Sequence, residues 1–223
     1  MTKNKDSGSA SSIPENLYQE YFNLLLNGDR IACTRIVQDL IQKDIEIKIL
    51  YVEFFQKSLY AVGELWEYNK ISVAREHLVT AITEGLLNLV YPKLFEKDHS
   101  RQNKSVVISC TANEFHQIGG KMAADIFELN GWNSHFLGAN TPVDHLLDYI
   151  QDVKPDLVGL SLSVYFNLPS LKAGLDALRS DFRNLDIFVG GQAFCHGGID
   201  LLKQYTGTRY VQSLTELDAM IRE

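Results

Sequence analysis

The stretch "TANEFHQIGGKMAADIFELNGW", residues 111–132, sets a carboxylate, an imidazole and two glycines where a strand signal gives way to a helical one. Glu114 and His116 stand two apart in that connection. A carboxylate at this distance can accept the imidazole Nδ1–H, fix the tautomer and raise the basicity of the other ring nitrogen. That is how carboxylates tune metal-binding histidines. The alternative is a solvated loop histidine beside a solvated glutamate. The Gly119-Gly120 pair opening a helix also invites comparison with a phosphate loop. Neither GxGxxG nor GxxxxGK[ST] is present, and Lys121 is a single cation, so a mononucleotide has little support.

Two further stretches carry unusual residues. "DLVGLSLSV" reads as a strand with Ser161 and Ser163 on one face and Leu160, Leu162 and Val164 on the other. A buried parallel strand has little use for two hydroxyls on one face. Either they bond to nearby backbone or a polar part of a ligand passes them. "DIFVGG" ends in Gly190-Gly191, which suits either a turn or the close approach of a ligand to backbone.

The elements that must position these residues differ between the two halves of the chain. Residues 15–98 have helical periodicity. "PENLYQEYFNLLLNG" ends in Gly28, a C-cap; Asp29 and Ser72 are N-caps for later helices, and Pro92 bends or ends the fourth. Four helices with short connections predict a small antiparallel bundle. Residues 99–104 read as a linker. From 105 to 223 five short β-branched or apolar runs alternate with helical ones. This predicts an α/β domain: a five-stranded parallel sheet with helices on both faces and the flavodoxin-like order 2-1-3-4-5. Ligands of such sheets bind beyond the carboxyl ends of the strands, where "TANEFHQIGG", "YFNLP" and "GGQAFCHGG" are expected to share one rim.

Bulk properties exclude several classes. Over 223 residues the net charge is −7 with no basic stripe, which argues against direct nucleic-acid binding by this chain. No apolar run reaches the roughly 20 residues of a membrane span. Residues 1–14 are polar and read as a disordered tail without a signal core. Cys33, Cys110 and Cys195 lie far apart without a CxxC pair, which favours a reducing cytoplasm over disulfides or a zinc knuckle.

Together, Glu114-x-His116-x-x-Gly119, then 41 residues, Ser161-x-Ser163, then 26 residues, and Gly190-Gly191 resemble the fingerprint of the cobalamin-binding domain family. The family form is Asp-x-His-x-x-Gly, Ser-x-Leu and Gly-Gly at these spacings. This chain departs from it with Glu114 for Asp and Ser163 for Leu. The resemblance implies that His116 is the lower axial ligand of cobalt in place of the cofactor's own benzimidazole, and that Glu114 orients it. It implies that Ser161 holds the nucleotide end, while Gly119, Gly190 and Gly191 leave room for the tail. Phe115, Gln117, Ile118, Leu162 and Ser163, inside the motifs, belong to the implied cofactor site.

The helical half resembles the family's cap, which covers the upper corrin face. Trp66, nine residues, then Glu76-His77 matches the Trp-x9-Glu-His motif of cobalamin-dependent photoreceptors, and Val73 would line the same pocket. In the best-known light-sensing repressors of that subfamily a histidine follows the tryptophan; here it is Glu67. Those repressors also carry an N-terminal helix-turn-helix domain, where this chain has a short polar tail. The resemblance therefore implies a stand-alone sensor, not an enzyme, with adenosylcobalamin as the favoured cofactor and methylcobalamin as the other possibility. Its output would pass through an unidentified protein partner or self-association as a homo-oligomer. The other reading is a methyl-carrying corrinoid protein of a methyltransferase system.

Overall fold

The structure, a computed structural model, describes residues 12–96 and 101–223. Most of the expected tail, residues 1–11, and residues 99 and 100 of the expected linker lie outside the described residues. The chain divides into two compact units that meet at Lys93 and Leu94.

The first unit is helical. α1 (Glu15–Asn27) closes on Gly28, whose left-handed φ of 77° lets its amide turn back to Leu25 O. Asp29 then caps α2 (Arg30–Gln42) by accepting the Ala32 amide at 3.0 Å. α3 spans residues 47–67: α-helical over Ile47–Ile49, π-helical over Leu50–Gln56, and α-helical again over Lys57–Glu67. The π stretch interrupts the continuous helix expected from the apolar pattern; it was not legible because so short a widening leaves that pattern almost unchanged. α4 (Val73–Val90) starts on Ser72, whose Oγ accepts the Arg75 amide at 3.3 Å. It passes into a single 3-10 turn, Tyr91–Leu94, where Pro92 cannot supply a helical amide. Leu25, Val37, Phe54, Phe55, Val79 and Leu87 fill the interior, and the Tyr21 and Phe54 rings stack at 4.1 Å.

The second unit holds β1 (Ser105–Cys110), α5 (Ile118–Leu129), β2 (Asn133–Phe136), α6 (Val143–Val153), β3 (Leu157–Ser161), α7 (Leu168–Asp181), β4 (Asp186–Gly190), α8 (Ile199–Leu202), β5 (Thr208–Tyr210) and α9 (Leu214–Arg222). The five strands are parallel, in the order β2-β1-β3-β4-β5. This is the expected α/β architecture. One face of the sheet packs on α6, α7 and α8 through Val158, Leu160, Leu162, Leu146, Ile150, Leu171 and Leu175; α5 and α9 pack together at the other. Both faces are thus covered, which is why the strands read as near-continuous apolar runs. Residues 101–104, read as linker, are tied to this unit: Arg101 donates to Glu128 at 2.8 Å and the Gln102 amide to Gly131 O at 2.9 Å.

β3 ends at Ser161, so Ser163 does not continue the strand face expected for it; Leu162 is buried in the core below. At the end of β4 Gly191 has φ 119°, and a Cβ there would lie 2.1 Å from Leu162 O. Both the backbone angle and the space exclude a side chain. Gly191→Ala is expected to destabilise the sheet unit by more than about 3 kcal/mol. Urea unfolding followed by circular dichroism measures this, and a midpoint within error of wild type would contradict the packing described.

Candidate functional site

β1 delivers the chain into a tight loop at the carboxyl edge of the sheet. Thr111 opens it, its amide donating to Ser161 O at 3.2 Å, and the Glu114 amide closes back on Thr111 O at 3.0 Å. Asn113 takes a left-handed φ of 65°, which asparagine tolerates better than most residues. Its amide is accepted by Asn140 Oδ1 at 2.7 Å, and the Asn140 amide donates to Glu114 O at 2.8 Å. The loop after β2 therefore braces the loop after β1.

The result is a carboxylate turned inward. The Glu114 side chain is fully buried and His116 is 55% exposed beside it. Glu114 Oε1 accepts both the His116 Nδ1–H, at 2.6 Å, and the His116 amide, at 3.0 Å. Oε2 accepts the amides of Ser163 and Val164, each at 2.9 Å, and a longer bond from Asn167 Nδ2 at 3.4 Å. Burial pushes the Glu114 carboxyl up. The bonds from the His116 side chain and amide and from the Val164 and Ser163 amides overcome this and hold it down at about 2. Glu114 is thus a permanent anion, and an anion can only accept. Nδ1 must carry the proton, and in the neutral ring the lone pair sits on Nε2.

Cys110, one strand-end away, is not a competing ligand. Burial, and then the Glu114 charge, push its thiol up to about 12 against a small opposing bond from Ser161, so no thiolate is present near neutral pH. Among the described residues no three His, Cys, Asp or Glu side chains converge on a possible metal position. A single imidazole is too few donors for a bare ion. It suits a metal whose other positions are already held by a macrocycle, and imidazole is a proper donor for cobalt.

The surroundings leave space for such a group. A Cβ on Gly119, in the first turn of α5, would touch nothing within 4 Å, whereas one on Gly120 would meet Phe136 at 3.1 Å and the Ser161 side chain at 3.5 Å. Thr111 Oγ1 is buried at this loop without a hydrogen-bond partner. An open wall beside Gly119 and an unmet buried hydroxyl are what a site for a polar tail requires. Ser161 is buried and Ser163 half-buried; Phe115 is exposed, Gln117 precedes α5, and Ile118 is buried as its first residue. Gly190 and Gly191 have a reason within the fold: the space beside them is filled by Val211 O and by the Leu162 backbone.

In the helical unit Trp66 ends the last full turn of α3, Val73 opens α4, and they are 48% and 51% exposed. The Lys70 amide donates to Leu65 O and the Asn69 amide to Trp66 O, folding the connection so that both residues sit at one end of that unit. His77 Nδ1 lies 2.6 Å from Glu76 Oε2.

The glutamate, histidine, serine and glycine motifs were legible in sequence. Asn140, Asn167 and the amides of Ser163 and Val164 were not. Backbone donors leave no residue-type signal, and the asparagines offered only their place in loops on the same rim.

Residues 104–209 match a family model described as a B12 binding domain, and residues 17–91 match a second model of the same description. The chain is 30% identical over 199 residues to the HTH-type transcriptional repressor CarA of Myxococcus xanthus, covering 87% of this chain and 63% of that protein. It is 30% identical over 133 residues to CarH, an HTH-type transcriptional repressor of the same organism, covering 59% of this chain and 43% of that one. The chain thus spans less than two thirds of the length of either repressor. Dimethylamine corrinoid protein 1 of Methanosarcina acetivorans is 23% identical over 147 residues, 62% of this chain and 68% of its own. The solved Methanosarcina barkeri monomethylamine corrinoid protein has the same fold, with a TM-score of 0.80 over 92% of this chain and 97% of that one at 11% identity. With both of its units matched in this way, the chain belongs to the family of B12-binding-domain proteins.

Proposed function

We propose that this chain binds cobalamin through His116 and works as a regulatory protein that responds to the state of the cofactor, with adenosylcobalamin as the form sensed and light as the trigger. The observation that carries the binding is the 2.6 Å contact between Glu114 and the His116 Nδ1, made by a carboxylate that is fully buried and anionic. Glu114 holds the imidazole in one orientation and one tautomer, and His116 would offer its Nε2 lone pair to the cobalt. Ser161, Thr111 and the open wall at Gly119 take the nucleotide tail, with Phe115, Gln117, Ile118, Leu162, Ser163, Gly190 and Gly191 as the surrounding shell. Trp66, Val73, Glu76 and His77, at one end of the helical unit, are the residues that would meet the cofactor's upper group. Bound cobalamin supplies a cobalt–carbon bond to an upper alkyl group, which light can break. The chain itself catalyses nothing in this reading. The output would pass to a partner protein or a second copy through a changed surface near Trp66.

The sensor reading is favoured by exposed Trp66 and by the adjacent Glu76-His77 pair, whose side chains lie 2.6 Å apart. A second reading, a methyl-carrying corrinoid protein, draws on the likeness to the dimethylamine corrinoid protein and on the shared fold. One experiment separates them. The purified chain is loaded with adenosylcobalamin or methylcobalamin in the dark, and its spectrum and size are recorded before and after green light. A sensor changes both with adenosylcobalamin. If the cofactor binds and neither changes, the carrier reading replaces the sensor; if neither cofactor binds, both are wrong.

A further inference from the structure

The amino edge of the sheet, opposite the rim that carries His116, holds a cavity of about 150 Å³ where β1, β3, β4 and β5 begin. Gly159 on β3 shapes it. Gly159 pairs in register with Phe188 on β4, and a Cβ there would lie 2.3 Å from the Phe188 ring. That ring therefore leans over β3, away from β5, where Arg209 is its register partner. Phe127 lies 5.7 Å from the Phe188 ring, and Trp132 meets Phe127 edge-on at 5.2 Å. All three rings are buried, so the cavity has an aromatic floor within the sheet unit.

Three donors around this floor are unspent. Trp132 Nε1 is buried with no hydrogen-bond partner among the described residues, and an indole N–H can only donate. Lys104 Nζ sits 5.0 Å over the Trp132 ring. Among the described residues neither that ammonium nor the Arg209 guanidinium has an ion pair. Two of the acids on the same rim are engaged elsewhere. Asp156 Oδ2 accepts the Ser105 amide at 2.7 Å, and Asp186 stands by the Arg179 guanidinium beside Gly207. Glu223 is the remaining acid. An apolar cavity of about this volume accepts a single benzene ring. Cationic donors at its mouth favour a carboxylate, which arginine takes with two parallel N–H groups.

We propose that this cavity binds a monocyclic aromatic carboxylate, its ring on Phe127, Trp132 and Phe188 and its carboxylate on Arg209 and Lys104. The site does not depend on the cobalamin reading, because none of its residues belongs to the rim around His116.

Benzoate is the probe, titrated into the full chain. Binding is read by calorimetry, and by Trp132 emission in a Trp66→Phe background that leaves Trp132 as the only tryptophan. Wild type is expected to bind benzoate at least about tenfold more tightly than benzyl alcohol, which has the ring without the charge. Arg209→Gln is expected to weaken benzoate by about tenfold or more, with Arg209→Lys recovering part of the loss. Trp132→Phe keeps a ring and removes the donor, for a loss of roughly two- to tenfold. Glu223→Gln is expected to tighten binding, and His116→Ala to bind benzoate as wild type does. Arg209 and Glu223 are exposed, so these variants leave the core intact. No heat and no emission change at millimolar benzoate overturns the proposal. So does benzyl alcohol binding as tightly as benzoate, or Arg209→Gln binding benzoate as wild type does. A dimer on gel filtration that Arg209→Gln dissolves, without benzoate binding, gives the cavity to a second copy and overturns it equally.

Discussion

Glu114→Ala is expected to be the most damaging single change in the sheet unit. It removes the acceptor for the amides of His116, Ser163 and Val164, all of which converge on a fully buried position. Each buried donor left without a partner costs about 1–3 kcal/mol, and the small cavity left by the side chain adds to it. A loss of about 4 kcal/mol or more in urea is expected, together with a disordered His116. Glu114→Gln keeps the shape and so isolates the charge. Its amide has one oxygen and one donating nitrogen, so either His116 or the Ser163–Val164 amides must face a donor. The same carboxylate sets an acid limit. Its folded-state pKa, about 2, lies below the ordinary value of 4.5. The stability it contributes is thus fully present above about pH 4.5 and lost as the pH falls through 2. The difference amounts to on the order of 3 kcal/mol. Wild type should lose this increment over that window and Glu114→Gln should not; parallel acid-unfolding curves would show that the carboxylate does not sit as described.

The second large effect is on binding alone. His116→Ala is expected to leave the unfolding midpoint near that of wild type, since the ring is 55% exposed. Its cobalamin affinity should nevertheless fall by more than the roughly 10–100-fold that loss of a mere orienting partner costs. Any cofactor still held should lack the imidazole-ligated spectrum. The contrast with Glu114→Ala is the informative part, because one residue anchors the loop and the other only projects from it. A His116→Ala variant that binds adenosylcobalamin with unchanged affinity and spectrum would falsify the role given to this histidine.

The division between what could be read in the chain and what could not follows the range of the interactions. Helix ends at Gly28, Asp29 and Ser72 depend on contacts within four residues, and they stand where the residue types place them. The parallel sheet follows from strand–helix alternation, because parallel strands need crossovers, and its order is the flavodoxin-like one expected for a domain of this length. The pairing of Glu114 with His116 spans two residues and was legible for the same reason. The π turn in α3, the bracing of Asn113 by Asn140, and the Ser163 and Val164 amides were not. The first changes helical register by one residue without a signature of its own, and the others join segments 27 to 50 residues apart.

Sequence alone therefore determined that Glu114 and His116 stand together in one loop, and that this loop lies at the carboxyl edge of a parallel sheet. Those features rest on residue type, short spacing and connectivity. Only the tertiary structure decided that Glu114 is buried and anionic. Its ionisation depends on amides delivered by the loop after β3, and no local pattern encodes where a distant loop will place its backbone. It likewise decided that Gly191 is required by the Leu162 backbone, and that Gly119 faces open space where Gly120, its neighbour, faces Phe136 and Ser161. Identical residues one position apart are told apart only by what the folded chain packs against them.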